Sequence, residues 1–591
     1  MVRSFLRAAW AAGLLSIVAC ARLPAGEEPR PGTELLARLL AQAGSEPLAA
    51  IMAPEPRGLP EALARTALVR AFNDPQYAQG RQELRREALD VAGAELDQVW
   101  EGLRPHLAGP AALVLTEGPR DATLPRLRLA LLLTVQDAQA AEGVRLAWPR
   151  VPPDSGTLLS VTALKVFTPG QLAAEAAPPA WAERAAKLNG ALRAVLRPRE
   201  LEGVLKTWFG GDPGEAPPEW LRGLRSLGLD EIERLELELQ TDAAYFLEDL
   251  RCEPVGGAGG CVTRLLRGLR ADPQPWDALQ AALPGKQDAV LLGQLNLAAL
   301  GGDLPLVLQA VERLARGEKW WRLRGNDPEA RAPERFKFLT QFASGTIGIV
   351  SRPGLSGESE TVAVAATPGA DVDKVRAALS EGLAELGAPF ETQEQAPRIG
   401  NQPPLAASFK GRGFLPAPVL GLSHGWVWLC SNTSAYQDLV GSFAAGGQTL
   451  SAEAKPGEGL WPANAGLAAP PEPSAARLRL NLTKVFPLVY TSWMLGEQGP
   501  QVFGWKVPGE LLPSPGFLKR YLAPYRAEMR WEGTRVRVCA RGPAPGGALL
   551  PLLGVALVAG QVDEMQRSRP EALRKQLEAL AGTPPAEGPR P

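Results

Sequence analysis

Two stretches of the chain carry the same succession of apolar and polar positions. Residues 111–135 begin with an apolar run, continue through a polar loop and end where apolar and polar residues alternate. Residues 346–367 repeat this order at nearly the same spacing. Alternation with period two is typical of a half-buried strand, so each stretch predicts a β-hairpin. Helical periodicity flanks both hairpins, at residues 81–107, 136–143, 304–314 and 371–386.

A second pair of segments indicates that the repetition extends further. A Leu-Arg segment at Leu192 and another at Leu478 are followed by alternating, hairpin-like segments at 235–252 and 527–539. The offset between the copies grows from 235 residues (346 minus 111) to 286 (478 minus 192). The second copy is therefore expected to carry an insertion of about 50 residues, the difference between these offsets, between Thr367 and Leu478.

These patterns predict an α+β fold with two duplicated units of mostly antiparallel sheet and packed helices. We expect the first unit at residues 35–270 and the second at 271–560, with the insertion near 368–477. A helix followed by a Pro-rich, disordered tail is expected at 561–591.

The N-terminus has the composition of an export signal. Arg3 and Arg7 precede an apolar run at residues 8–18, and Ala19 stands before Cys20. The run is shorter than the ~20 residues that a membrane-spanning helix needs, and a plain cleaved signal is the other alternative. A cysteine directly after a small residue resembles the lipobox of bacterial lipoproteins.

The lipobox resemblance implies that Cys20 carries lipid, that residues 1–19 form the signal peptide and that residues 20–34 form a tether. It places the body in the cell envelope, with the membrane as a partner through the N-terminal lipid. Ala21 is not the aspartate that favours inner-membrane retention in well-studied enterobacterial lipoproteins. We therefore expect the protein to be anchored at the periplasmic face of the outer membrane.

The cysteines are compatible with export. Without Cys20 four remain, an even number that suits structural disulfides in an oxidising compartment. Cys252 and Cys261 flank a glycine-rich loop, which favours a disulfide between them, with two free buried thiols as the alternative. A Cys430–Cys539 disulfide is less supported because nothing local brings that pair together.

The sequence contains little evidence for motifs of catalysis or cofactor binding. Residues 421–425 match G-x-S-x-G, but the nucleophile elbow needs a helix after the serine, and the following residues alternate like a strand. A tight β-hairpin is expected there instead. His106 and His424 are the two histidines, and neither stands in a metal-ligand motif. We predict no catalytic residue, no metal site and no cofactor, although carboxylates such as Glu248 and Asp249 need no local motif to act in pairs.

The net charge and the repeated layout of the chain limit the functions that it can have. With 63 basic and 64 acidic residues, the chain has no broad attraction for nucleic acid. Residues 109–143 and 345–386 resemble a group of large bacterial envelope proteins of unknown function, which repeat a module of helix, apolar hairpin and helix. That resemblance implies a fold and a location, without an activity.

We therefore expect a membrane-tethered extracytoplasmic lipoprotein that is a non-enzymatic scaffold or binding protein, with an envelope protein as partner. The sequence identifies no small-molecule ligand. Two alternatives stay open. A carrier or chaperone of an apolar ligand requires a continuous apolar cavity, and a carboxylate-dependent hydrolase requires a cleft where two acids converge and one pKa is shifted.

Overall fold

The structure is a computed structural model. It describes residues 32–59, 64–80, 82–83, 103–117, 127–147, 159–209, 228–242, 245–256, 261–268, 276–294, 345–353, 359–366, 390–392, 406–409, 419–423, 425–443, 449–450, 474–486, 501–502, 505–506, 513–556, 558–560 and 562.

The strands in chain order are β1 Ala49–Ala53, β2 Leu107–Glu117, β3 Leu127–Val135, β4 Leu159–Phe167, β5 Leu192–Leu196, β6 Ile232–Asp242, β7 Tyr245–Pro254, β8 Ala289–Gln294, β9 Thr346–Pro353, β10 Ser359–Ala366, β11 Phe390–Thr392, β12 Ala406–Phe409, β13 Val419–Ser423, β14 Trp426–Cys430, β15 Ser474–Leu480, β16 Gln501–Val502, β17 Trp505–Lys506, β18 Tyr525–Glu532 and β19 Arg535–Gly542. The helices are α1 Gly32–Ala41, α2 Ala67–Asn73, α3 Ala138–Ala147, α4 Pro169–Ala174, α5 Ala180–Ala186, α6 Pro198–Phe209, α7 Cys261–Gly268, α8 Trp276–Ala282, α9 Thr433–Phe443 and α10 Pro515–Leu518. Residues 549–556 are also helical.

Seventeen of these strands form one continuous sheet. Its order is β4-β3-β2-β1-β5-β6-β7-β19-β18-β15-β8-β9-β10-β14-β13-β12-β11. Every pairing is antiparallel except β3 with β4. The predicted α+β class, with a mostly antiparallel sheet, is confirmed.

The same strand order occurs twice within this sheet. The order β3-β2-β1-β5-β6-β7 in the N-terminal half matches β10-β9-β8-β15-β18-β19 in the C-terminal half. The two halves join edge to edge where β7 pairs with β19. At the outer side the halves differ, since β4 runs parallel to β3 whereas β14 runs antiparallel to β10. The predicted helices at 304–314 and 371–386 lie outside the described residues.

The strand register corrects the alignment of the two copies by one residue. Ala49 faces Leu115 in the first half, and Ala289 faces Ser351 in the second. Met52 of β1 faces Arg193 and Leu292 of β8 faces Arg477 in the next strand, which aligns Ala49 with Ala289. Leu115 is therefore equivalent to Ser351, an offset of 236 (351 minus 115) rather than 235. Because successive side chains point to opposite faces of a sheet, this shift decides which residues are buried.

The sheet has two faces of different character. One face, named the charged face, carries a row of residues that face one another across β5, β6, β7, β19, β18 and β15: Arg193, Glu238, Asp249, Cys539, Glu528 and Arg477. The opposite face carries the neighbouring row Leu237, Leu250, Val538, Met529 and Ala476. On that side α7 packs on Leu250 and Val538 in an apolar core.

Two apolar cores flank the charged strands on the charged face. Met52 continues the row beyond Arg193, where it packs with Leu36 of α1. Leu292 continues the row beyond Arg477, where it packs with Leu279 of α8 and Trp428 of β14. The charged face is therefore bounded by one helix-covered core in each half. None of the described helices is long and apolar enough to cross a membrane.

We predict that Gly348→Val destabilises the C-terminal half. A Cβ at Gly348 would lie 2.7 Å from Leu283 Cδ1 and 3.0 Å from Leu279 Cδ1, so any larger side chain displaces α8 and the residue that follows it. Overpacking of a filled core costs about 1–3 kcal/mol of unfolding free energy, measurable by urea denaturation. Ile349→Val is the control, since Ile349 is exposed on the opposite face of the same strand. Equal unfolding free energies for the two variants would contradict this packing.

Candidate functional site

The charged face results from alternating sequences in four adjacent strands. In β6, β7, β19 and β18 most charged residues stand two positions apart, and period two directs these side chains to one face. They are Arg234, Glu236, Glu238, Asp249, Arg251, Glu253, Arg535, Arg537, Arg541, Arg526, Glu528, Arg530 and Glu532. Six of them are buried: Arg234, Glu236, Glu238, Asp249, Arg530 and Arg537. Arg193 of the neighbouring strand β5 is also buried.

An ion pair between Asp249 and Arg537 lies where the two halves join. Arg537 Nε donates to Asp249 Oδ1 at 2.8 Å and Nη2 to Oδ2 at 2.7 Å, a two-point contact between β19 and β7. Arg537 Nη1 also donates to Glu532 Oε1 at 2.8 Å. Burial lowers the pKa of Arg537, but these hydrogen bonds outweigh burial and hold its pKa above the ordinary value. Arg537 therefore carries a positive charge near neutral pH.

A second carboxylate lies beside Asp249. Glu238 is the cross-strand neighbour of Asp249, and Arg251 Nη2 lies 3.0 Å from Glu238 Oε1 and 3.1 Å from Asp249 Oδ2. Burial raises the pKa of Glu238, Arg251 opposes this shift, and the Asp249 charge adds to it. The two side chains are only 3% and 4% exposed, so a substrate has no route to them as they stand. Two acids converge here as a hydrolase would require, but beneath the surface.

A further network ties α5 to the sheet. Arg234 contacts Glu46 at 2.6 Å and Glu236 at 2.8 Å. Arg184 of α5 lies 3.7 Å from Glu46 and 3.9 Å from Glu236. Arg193 donates from Nη1 to the carbonyl of Ala186, the last residue of α5. These contacts hold α5 over the edge of the charged face.

The amphipathic character of α5 decides which residues face the site. Ala182, Ala185 and Ala186 are buried in the first core, whereas Glu183, Arg184 and Lys187 lie on the exposed side. The preceding helix α4 starts at a capping box, in which Thr168 Oγ1 accepts from Gln171 N and Gln171 Oε1 accepts from Thr168 N.

A cavity of about 410 Å³ lies between α5 and the charged face. Its polar lining comes from α5 and the residue after it (Glu183, Arg184 and Lys187) and from the strands (Glu236, Arg251 and Arg535). Arg184 is 45% exposed, Arg535 34% and Arg251 25%, against 4% for Glu236. On the sheet side the guanidinium groups are therefore more accessible than the carboxylate, whereas Glu183 on α5 is an exposed carboxylate.

Glu248 and Asp249, adjacent in sequence, point to opposite faces of the sheet. Glu248 accepts hydrogen bonds from the N–H groups of Gly547 (3.1 Å) and Ala548 (2.8 Å), just before the helix at 549–556. Burial raises the pKa of Glu248, and these hydrogen bonds oppose that shift. The two carboxylates therefore cannot act together on one substrate.

The structure corrects both predicted disulfides. Cys252, Cys430 and Cys539 are free, buried thiols. Cys252 faces an apolar core from near the end of β7, with Leu235 and Val536 as its cross-strand neighbours. This places Cys252 among apolar side chains instead of at the loop that leads to Cys261, the first residue of α7.

The Cys430–Cys539 pairing fails because of strand order. Cys430 lies in β14 and Cys539 in β19, six strand spacings apart in the sheet, or about 29 Å at 4.8 Å each. A disulfide needs Cα atoms within about 7 Å. Burial raises the pKa of Cys252 to about 12 and of Cys539 to about 11, and it also raises the pKa of Cys430. These thiols therefore stay protonated and unreactive near neutral pH. Cys20 lies outside the described residues.

The other sequence-predicted residues form no reactive site. Ser423 and Trp426 face each other across the β13–β14 turn, where Gly425 has a φ of 78°. This confirms the predicted hairpin in place of a nucleophile elbow. His106 ends a short 3-10 helix, and His424 lies outside the described residues. Among the described residues, no three His, Cys, Asp or Glu side chains are grouped to hold a metal ion.

No family model, curated protein or solved structure matched this chain when each was compared with it. The description of the charged face therefore rests on the structure of this chain alone. The sequence signal for it exists in the Arg-Leu-Glu-Leu-Glu-Leu run from Arg234 and the Arg-Val-Arg-Val run from Arg535. Each run predicts a strand with one polar face, but neither predicts that the polar faces meet.

We predict that Asp249→Asn strongly destabilises the fold, whereas Glu238→Gln does not. Asp249→Asn leaves Arg537 buried without its two-point partner, and breaking a buried pair in this way costs about 3–5 kcal/mol. Glu238→Gln removes a buried charge while Arg251 keeps its ion pair with Asp249. The expected change in the free energy of unfolding is therefore within about 1 kcal/mol. Urea denaturation of the two variants measures both. Equal losses would contradict the central role of Asp249.

The stability of the Glu238→Gln variant relative to the natural chain has a defined pH dependence. Since the folded-state pKa of Glu238 lies above its ordinary 4.5, the folded state binds this proton more tightly than the unfolded state. The contribution of Glu238 to stability is therefore full below pH 4.5 and is lost as the pH rises through its folded pKa. Glu238→Gln should gain stability relative to the natural chain across that window.

Proposed function

We propose that this chain is a lipid-anchored protein of the cell envelope that acts as a non-catalytic scaffold or binding protein. The observation that supports it is the junction of β7 with β19, which turns two helix-covered halves into one sheet. Sixteen strand spacings at about 4.8 Å give a strand-to-strand path of about 77 Å. Such a length suits a platform that holds partners apart better than it suits a single reaction centre.

The filled cores favour a scaffold over a carrier of an apolar ligand. A carrier needs one continuous apolar cavity, whereas Leu36 with Met52 and Leu279 with Trp428 pack in separate clusters. The cavity beside α5 is lined by charged side chains. Neither feature suits an apolar cargo within the described part of the chain.

The burial of the converging acids favours a scaffold over a carboxylate-dependent hydrolase. Glu238 and Asp249 are neighbours, and one has a raised pKa, but Arg251 spans both and neither is exposed. An acid–base pair must reach its substrate within hydrogen-bond distance. The arrangement is better suited to holding strands together.

The proposed anchor sets how far the body lies from the membrane. Helix α1 starts at Gly32, twelve residues after Cys20. At no more than about 3.3–3.6 Å per residue, this stretch spans at most about 43 Å. The proposal therefore keeps the platform close to the membrane surface, on the periplasmic face of the outer membrane.

The first test of the proposal is Cys20→Ala. Without an acylated sulfur the chain loses its anchor, so we expect it to move from the carbonate-washed membrane fraction to the soluble fraction, measured by immunoblotting. Cys252→Ala is the matched control and should stay in the membrane fraction, because Cys252 is a buried core thiol. A Cys20→Ala variant that stays fully membrane-bound contradicts the lipid anchor.

The second test separates the scaffold from the carrier. Native mass spectrometry of the delipidated chain, purified gently from its own envelope, should show the bare mass or the mass of a protein complex. A reproducible lipid-like mass that is lost on denaturation would instead support the carrier and refute the scaffold.

A further inference from the structure

The cavity beside α5 presents unequal access to its positive and negative groups. Glu236 is buried and lies 2.8 Å from Arg234, so its charge is already compensated below the cavity. Arg251 meets Glu238 and Asp249 from the same deep side. Arg184 and Arg535 are 45% and 34% exposed, and they lie 3.7 Å from Glu46 and 3.5 Å from Glu253, which do not line the cavity.

Lys187 adds a cation that forms no salt bridge within the described part of the chain. It follows the last residue of α5, is exposed, and makes no side-chain ion pair or hydrogen bond with any other described residue. A cation at the C-terminal end of a helix is favoured by the helix dipole, which explains its position in part. It does not explain why Arg251 and Arg535 approach the same cavity from β7 and β19.

We propose that this cavity binds a small anion that carries phosphate or carboxylate groups. Guanidinium groups bind such oxyanions through paired hydrogen bonds, and Lys187 would add a point charge. A volume of about 410 Å³ lies within the range of small-molecule sites. Because the formal net charge of the chain is only -1, the attraction must come from this local arrangement.

Glu183 is a residue whose removal is predicted to strengthen anion binding, in contrast to the removal of Lys187 or Arg535. It lines the same cavity, is exposed, and has no side-chain partner among the described residues. Its carboxylate repels an anion, so its removal should strengthen binding. The site depends on the cavity alone and not on the lipid anchor or the scaffold role.

The test is isothermal titration calorimetry of the full chain at low ionic strength, with inorganic pyrophosphate and citrate as separate probes. We expect one-to-one binding of at least one probe, and the probe that binds assigns the ligand to the phosphate or the carboxylate class. Lys187→Gln and Arg535→Gln should each weaken binding roughly tenfold, the loss of one charged hydrogen bond. Glu183→Gln should strengthen it severalfold.

Lys206→Gln is the matched control. Lys206 is exposed near the end of α6, which packs on the opposite face of the sheet, and its loss changes the total charge equally. Lys187→Gln should keep the thermal midpoint of the natural chain because Lys187 is exposed and its side chain has no hydrogen-bond or ion-pair partner among the described residues. Three results would overturn the site: no heat with either probe, affinity unchanged in both Lys187→Gln and Arg535→Gln, or equal weakening in Lys206→Gln.

Discussion

The two-point contact between Asp249 and Arg537 is the interaction on which the whole sheet depends. It lies at the junction of β7 and β19, the one strand pairing that connects the two halves of the sheet edge to edge. A buried ion pair stabilises a fold only when its remaining hydrogen-bonding groups are also satisfied, and Glu532 and Arg251 supply those partners. A slip of this register by one residue would move Arg537 to the apolar face.

The layering of charge follows from this junction. Glu236, Glu238 and Asp249 lie deep against the strands, where they pair with Arg234, Arg251 and Arg537. Around the cavity, Arg184, Arg251 and Arg535 are more accessible than Glu236. Helix α5 lies over the edge of this surface and turns it into a cavity. Thus the interactions that join the halves also shape the binding site that we propose.

Local patterns predicted local structure well and long-range pairing poorly. The hairpin at 111–135, the β13–β14 hairpin and the antiparallel character of the sheet follow from alternation and turn residues, which act over a few positions. The expected disulfides were wrong because evenness of number and closeness in sequence do not show where a side chain points. Cys252 lies nine residues before Cys261 but faces the core from within a strand.

The amino-acid sequence by itself determined the fold class, the repeated hairpins and the polar stripe of each central strand, because period-two alternation needs only neighbouring residues. Only the tertiary structure decided which stripes meet. Asp249 and Arg537 are 288 residues apart, and their contact exists because β19 returns to pair with β7. The order of strands in a sheet depends on which strand edges pair most favourably across the whole chain. A local sequence pattern does not contain that information. For that reason the charged face, its buried acids and the cavity beside α5 became visible only in the folded molecule.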